Sequence, residues 1–146
     1  MMKKLLSSIL LSAALIPGAA LACDGDKAKI QTVSTAEGAK LAQAKAATFV
    51  DVNGTETRTK QGIIPGAVLL TSTEFKADEL PANKASRLVF YCANTQCGAS
   101  KMAAKKAIND GYGDVWVLPE GIMGWKQAGN ETAPYAAAKT AAKTQS

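Results

Sequence analysis

The chain has 146 residues, with 17 lysines and arginines against 12 aspartates and glutamates, and no histidine. Without histidine there is no Cys-His or Ser-His nucleophile pair and almost none of the usual catalytic zinc sets, so any reactive group must be activated another way. The lysines are scattered rather than clustered with aromatics, so the net charge of +5 reads as a solvated surface and argues against nucleic-acid binding.

The chain opens MMKKLLSSILLSAALIPGAALAC: two lysines, an apolar run from Leu5 to Ile16, a Pro17-Gly18 break, and Ala20-Leu21-Ala22. That is the form of a secretory signal peptide over residues 1–22. The apolar run is about a dozen residues against the roughly 20 a membrane-spanning helix needs, and no later segment is longer, so no transmembrane segment is expected. Cleavage after Ala22 exposes Cys23, where a lipid anchor is the alternative. Ala20 stands where the lipoprotein pattern wants leucine, which favours simple cleavage. Export to the periplasm or the exterior would place the remaining thiols where disulfides persist. Cleavage leaves 124 residues and a charge of +3, enough for one domain, expected over residues 23–135. The alanine-rich stretch 136–146 reads as a low-complexity tail.

Past the lead-in CDGDKAK, the run IQTV at 30–33 predicts a short strand. Ser34 with Glu37 three residues on forms a capping box, which predicts a helix over 35–46, weakened by Gly38. ATFVDV at 47–52 reads as a buried strand, and NGTETRTKQG at 53–62 as a polar loop punctuated by Gly54 and Gly62. IIPGAVLL at 63–70 gives a Pro65-Gly66 turn feeding a short strand. Thr71 or Ser72 can cap a brief helix around Glu74 to Asp78, and LPANKAS at 80–86 is loop. RLVFYC at 87–92 is the best strand in the chain, a continuous apolar run suited to a central parallel strand covered on both faces. SKMAAKKAIND at 100–110 predicts a helix with Met102, Ala103, Lys106, Ala107 and Ile108 on one face, stopping at Gly111. DVWVL at 114–118 is the last strand, and Gly121 to Gly129 holds a short helix with Trp125 as a core anchor. This alternation predicts an α/β domain with a mostly parallel sheet and helices on both faces. Ligand sites in such sheets lie beyond the carboxyl ends of the strands, where Cys92 falls as the last residue of the strongest one.

Cys92 and Cys97 sit in YCANTQCGAS, five positions apart. A cysteine reacts as its thiolate, and a free thiol with pKa near 8.5 is mostly protonated at neutral pH. The loop Ala93, Asn94, Thr95, Gln96, Cys97, Gly98, Ala99, Ser100 runs back into a helix that begins near Gly98 to Lys101. Its backbone N–H groups can curl around Cys92, and the helix N-terminus adds about half a positive charge. Such a cradle suits an anionic sulfur species and needs no histidine. Cys92 as a small packing residue and Cys92–Cys97 as a disulfide remain open beside it; the spacing permits the disulfide without requiring it. No metal is expected, since two cysteines at this spacing without histidine match no usual zinc set.

Four stretches in order resemble the single-domain rhodanese family of sulfurtransferases. FVDV with Glu56 and then GIIPGAVLL is similar to hDVR…E…GHIPGAhxh, where h is apolar. LVFYC, the loop and SKMAAKKAINDGY resemble vvYCxxGxRSxxAAxxLxxxGY. DVWVLPEGIMGWKQAG resembles VxxLxGGxxxWxxxG, and IQTVSTAEGAKLAQAKAATFVDV the usual opening strand and helix. The resemblance implies a rhodanese-like α/β fold around a five-stranded, mostly parallel sheet. It puts a persulfide on Cys92, formed from a small sulfur donor and passed to a thiol or cyanide acceptor, with no cofactor. Asp51, ending a strand near the site, is expected to brace loop amides or to act as a cap.

The departures are as informative. Asn53 stands where the family has Arg, and Ile63 where it has His. The active-site loop is two residues longer than the family pattern, and the closing Arg-Ser becomes Ala99-Ser100. A fork for the oxygens of thiosulfate is therefore missing, with Lys101 or Lys105 as point-charge substitutes. No arginine follows Cys92 anywhere, which also argues against the cysteine phosphatases and arsenate reductases with their Cys, five residues, Arg loops. Cys97 is a candidate resolving thiol, able to attack a persulfide on Cys92. The alternatives to a sulfurtransferase are a thiol–disulfide redox protein using Cys92 and Cys97, and a catalytically inert rhodanese-like binding module.

Overall fold

The structure is a computed structural model describing residues 28–136. The expected signal segment, Cys23 and residues 137–146 lie outside the described residues. Five parallel strands, β1 (Gln31–Thr32), β2 (Thr48–Asp51), β3 (Val68–Leu69), β4 (Arg87–Tyr91) and β5 (Asp114–Leu118), form one sheet in the order β1-β5-β4-β2-β3. The helices are α1 (Thr35–Gln43), α2 (Thr55–Gln61), α3 (Ala99–Asn109) and α4 (Gly121–Gln127). No helix among the described residues is long and apolar enough to cross a membrane.

β4 is the middle strand, as its sequence predicts: Leu88, Val89, Phe90 and Tyr91 are all fully buried. Alternation sends Leu88 and Phe90 to one face, into a core with Val50, Val115, Val117, Phe75, Tyr112 and the alanines of α3. Val89 and Tyr91 point the other way, among Phe49, Leu118, Ile122 and Trp125, against α1 and α4. Trp125 is the core anchor the sequence predicts, set edge-on to Phe49 with ring centroids 5.7 Å apart. It also accounts for Gly38, which weakens α1 but leaves room: a Cβ there would stand 3.3 Å from the indole ring. The capping box at the start of α1 forms as expected, Ser34 accepting from the Glu37 N–H while the Glu37 carboxylate receives the Ser34 N–H. The Ser34 hydrogen bonds hold the Glu37 carboxyl below its usual range.

Several local expectations are corrected. The stretch 53–62 is not a loop but carries α2, and its glycines bound the helix instead of breaking it, Gly54 as N-cap and Gly62 as C-cap. Its inward residue is Arg58, 4% exposed, so no apolar periodicity reveals the helix. The brief helix expected at Glu74–Asp78 is a 3-10 turn at Ala77–Glu79, because the Ser72 hydroxyl caps a local turn by accepting the Glu74 N–H at 3.0 Å. On α3 the buried stripe is Ser100, Ala103, Ala104 and Ala107, small residues that let the helix lie close to the sheet; Met102 falls off that stripe and is 58% exposed.

The chain crosses from β1 on one edge to β2 and β3 on the other, then returns through β4 to β5, so the connections leaving β2 and β4 diverge in opposite directions. The point between those two carboxyl ends is the topological switch of the sheet. It is held by Asp51, fully buried at the end of β2, which accepts from the Asn53 N–H at 2.7 Å and from Arg58 Nε at 3.1 Å. Arg58 Nη2 donates as well to the carbonyl oxygens of Asp51 and Leu70.

A buried charge left without its partner is costly. Arg58→Met alone is therefore expected to lower unfolding stability by about 3 kcal/mol or more, and the double variant Asp51→Asn, Arg58→Met to recover most of that. Urea unfolding of the two variants beside the parent checks this.

Candidate active site

The strongest strand ends at Tyr91, one position short of the predicted end at Cys92, so Cys92 is the first residue past it. The ladder persists here through Val52 N–H, which donates to the Tyr91 carbonyl at 3.0 Å, so Cys92 emerges at the switch point next to Val52 and Asn53. The loop then turns on Asn94. Its side-chain oxygen accepts the Gln96 N–H at 3.0 Å and its carbonyl accepts the Cys97 N–H at 3.1 Å. Gly98 caps α3, whose first intrahelical bond runs from Met102 N–H to the Gly98 carbonyl.

The base of the loop is fixed by α4. The N–H groups of Ile122 and Met123 donate to the carbonyls of Cys92 and Ala93 at 2.8 and 3.0 Å. This approach is possible because residue 121 is glycine, with φ of +61° and its Cα against the Cys92–Ala93 peptide. A Cβ there would lie 2.5 Å from the Cys92 oxygen and 2.6 Å from the Ala93 carbonyl carbon.

Cys92 and Cys97 are joined as a disulfide, with their Cα atoms 6.3 Å apart. Cys92 Sγ lies 3.3 Å from the Cys97 carbonyl oxygen and 3.7 Å from the Ser100 hydroxyl. Cys92 is 2% and Ser100 3% exposed, while Cys97 is only half-buried between the exposed Gln96 and Gly98. The expected amide cradle is not formed in the oxidised loop: the amides of Gln96 and Cys97 are taken by Asn94, and the Ser100 hydroxyl at the start of α3 is the donor group recorded near the Cys92 sulfur among the described residues.

Of the other predicted residues, Thr95 is exposed, Ala93, Asn94 and Ala99 are half-buried, and Lys101 and Lys105 are exposed on α3 with no ion pair among the described residues. Asp51 does brace a loop amide, that of Asn53, on the connection after β2 and not on the cysteine loop. Arg58, which the sequence reading missed, is the one buried guanidinium among the described residues, and it is committed to Asp51 and two carbonyls. Seven residues framed by Gly54 and Gly62 and free of proline, just after a strand ending in Asp, are the signal that could have found it.

The Tyr91 hydroxyl accepts the Ile64 N–H at 3.0 Å. Burial first, and then the charge of neighbouring Asp51, push this phenol well above its ordinary value.

The profile of the rhodanese-like domain family matches residues 34–128, from the α1 cap to the end of α4. The chain belongs to that family. Among solved structures, this rhodanese-like domain is similar to a Rhodopseudomonas palustris protein of unknown function, a possible tyrosine phosphatase, at 28% identity and a TM-score of 0.60, over 71% of this chain and 85% of that one. A Staphylococcus aureus rhodanese-like domain protein matches at 25% identity and a TM-score of 0.56, over 71% and 99% of the two chains. A rhodanese-related protein of Thermoplasma volcanium, at 20% identity and a TM-score of 0.58 over 70% and 97%, shares the fold. No curated protein matches.

Two outcomes are expected. The folded state keeps the Tyr91 proton while the unfolded chain gives it up, so this residue's contribution is intact below about pH 10 and is lost as pH rises through the folded value. Urea unfolding at pH 8 and 10.5 is therefore expected to show a smaller alkaline loss in Tyr91→Phe than in the parent, on top of a pH-independent cost of roughly 1–2 kcal/mol from the unpaired Ile64 N–H. Gly121→Ala is expected to displace the Cys92–Ala93 peptide. It should cost about 2 kcal/mol or more and change the rate at which the reduced protein reacts with an alkylating reagent, read by timed intact mass.

Proposed function

We propose that this rhodanese-like domain is an exported sulfurtransferase in which Cys92 accepts sulfane sulfur from a small donor and passes it to a thiol or cyanide acceptor. The observation that carries the reading is the setting of one sulfur. Cys92 Sγ is buried at the carboxyl end of the central strand, with a buried hydroxyl 3.7 Å away and the first turn of an eleven-residue helix behind it. The Cys92 thiolate attacks the outer sulfur of the donor; the donor's S–S bond breaks, its remaining fragment leaves with the electron pair, and Cys92 holds a persulfide. Attack by the acceptor on that outer sulfur returns the Cys92 thiolate. The Ser100 hydroxyl and the positive end of the α3 dipole serve the anionic sulfur in both steps.

No guanidinium is free to clamp a sulfonate, since Arg58 is held by Asp51. Donors with low charge at the distal end, such as persulfides and polysulfides, therefore fit better than thiosulfate. A phosphatase activity like that suggested for the Rhodopseudomonas palustris relative is disfavoured on the same ground, because no arginine follows Cys92 to hold a transferring phosphoryl group. The leader-like residues 1–22 support export, with Cys23 as an alternative lipid site.

The joined sulfurs of Cys92 and Cys97 favour a second reading, a thiol–disulfide redox protein that needs no sulfur donor. Intact mass of the reduced protein after incubation with a polysulfide separates the two. The sulfurtransferase reading expects a gain of one sulfur, about 32 Da, kept in Cys97→Ser and absent in Cys92→Ser. No adduct on any variant, together with a reproducible midpoint in a glutathione redox titration, would establish the redox protein instead.

A further inference from the structure

The two sulfurs of the loop differ in access and in what would stabilise them as leaving groups. Thiol–disulfide exchange is an in-line displacement: the incoming thiolate approaches one sulfur along the extension of the S–S bond and expels the other. Approach to Cys92 Sγ is hindered by burial: the residue is 2% exposed, and the buried Ser100 hydroxyl lies 3.7 Å from the sulfur. Cys97 is half-buried between two exposed residues, Gln96 and Gly98, in a loop whose Asn94 side chain meets the exposed Met123.

The leaving group points the same way. A departing Cys92 thiolate has the Ser100 hydroxyl 3.7 Å away, at the positive end of the α3 dipole. A departing Cys97 thiolate would sit beside its own loop, whose Gln96 and Cys97 amides are already taken by Asn94. The sulfur whose thiolate is better stabilised leaves faster.

We propose that Cys97 is the sulfur through which external thiols act on this domain and its site of S-thiolation. An external thiolate attacks Cys97 Sγ and forms a mixed disulfide there, while the Cys97–Cys92 bond breaks and Cys92 leaves with the electron pair. A second external thiolate then attacks the outer sulfur of the mixed disulfide, freeing Cys97 and carrying away two thiols as their disulfide. Two thiols are oxidised and one protein disulfide is reduced. Cys97 thereby works as a reductive gate: Cys92 is unmasked without being thiolated itself. Only the use made of the unmasked Cys92 rests on the sulfurtransferase reading; the order of exchange does not.

The test uses the full domain in its oxidised form with glutathione as the probe. Limiting reduced glutathione is added, the reaction is stopped with acid, and peptide mass mapping locates the mixed disulfide. In parallel, the native single-cysteine variants Cys92→Ser and Cys97→Ser are timed against oxidised glutathione. The proposal expects glutathione on Cys97 in the parent, and modification of Cys97 in Cys92→Ser about tenfold or more faster than that of Cys92 in Cys97→Ser, a gap that closes in denaturant. Glutathione mainly on Cys92, equal native rates, or two free thiols that mild oxidant does not join would each overturn it. A missing sulfur adduct in the polysulfide experiment, with glutathione still mapping to Cys97, would overturn the sulfurtransferase reading and leave the gate intact.

Discussion

Everything at the site depends on the constraint placed on a strand buried on both faces and paired on both edges. β4 cannot leave a backbone N–H or carbonyl unpaired without a cost of some kcal/mol per group, so its register is fixed by β5 on one side and β2 on the other. That pins Tyr91 opposite Asp51 and makes the next residue, Cys92, the point where the chain must turn out of the sheet. The bonds from Ile122 and Met123 continue the same accounting past the strand end, pairing the carbonyls of Cys92 and Ala93 that the sheet no longer serves. The Cys92 sulfur is thus carried by a segment fixed through backbone pairing.

Charge is distributed around that support in two separate compartments. On the α1 and α4 face the Asp51 carboxylate, the Arg58 guanidinium and the Tyr91 hydroxyl form a buried group that ties β2, α2, β3 and β4 together. On the α3 side, among the described residues, no cation is recorded against the sulfur, which has the Ser100 hydroxyl beside it; Lys101 and Lys105 are exposed and Lys106 is paired with Asp110. The only arginine buried among the described residues therefore works on the scaffold and not on substrate. The loop between β4 and α3 carries a second cysteine bonded to the first, so the Cys92 sulfur is masked in this state.

The elements with a strong local signal were legible in the chain: the Ser34–Glu37 box, the apolar runs of β2, β4 and β5, and Trp125 with the glycines around it. Their order was enough for an α/β sheet with Cys92 at its carboxyl edge. What was not legible had no local signature. α2 shows its neighbours a buried arginine in place of an apolar stripe, so periodicity could not reveal it. Met102 looked like a core residue from spacing alone. It is the small-residue stripe through Ala103, Ala104 and Ala107, chosen for close contact with the sheet, that turns it outward.

By itself, the sequence determined the chemistry on offer: two cysteines five apart after the strongest strand, no histidine, no later arginine, and the family pattern around them. Those are properties of composition and order, and folding cannot alter them. Only the tertiary structure decided which sulfur is reachable. Burial of Cys92 and partial exposure of Cys97 arise from where α3 and α4 pack against the loop, and from a glycine at 121 that admits the α4 backbone. Accessibility is set by neighbours distant in the chain, which is why the sequence order of the two cysteines does not give their exposure in the folded domain.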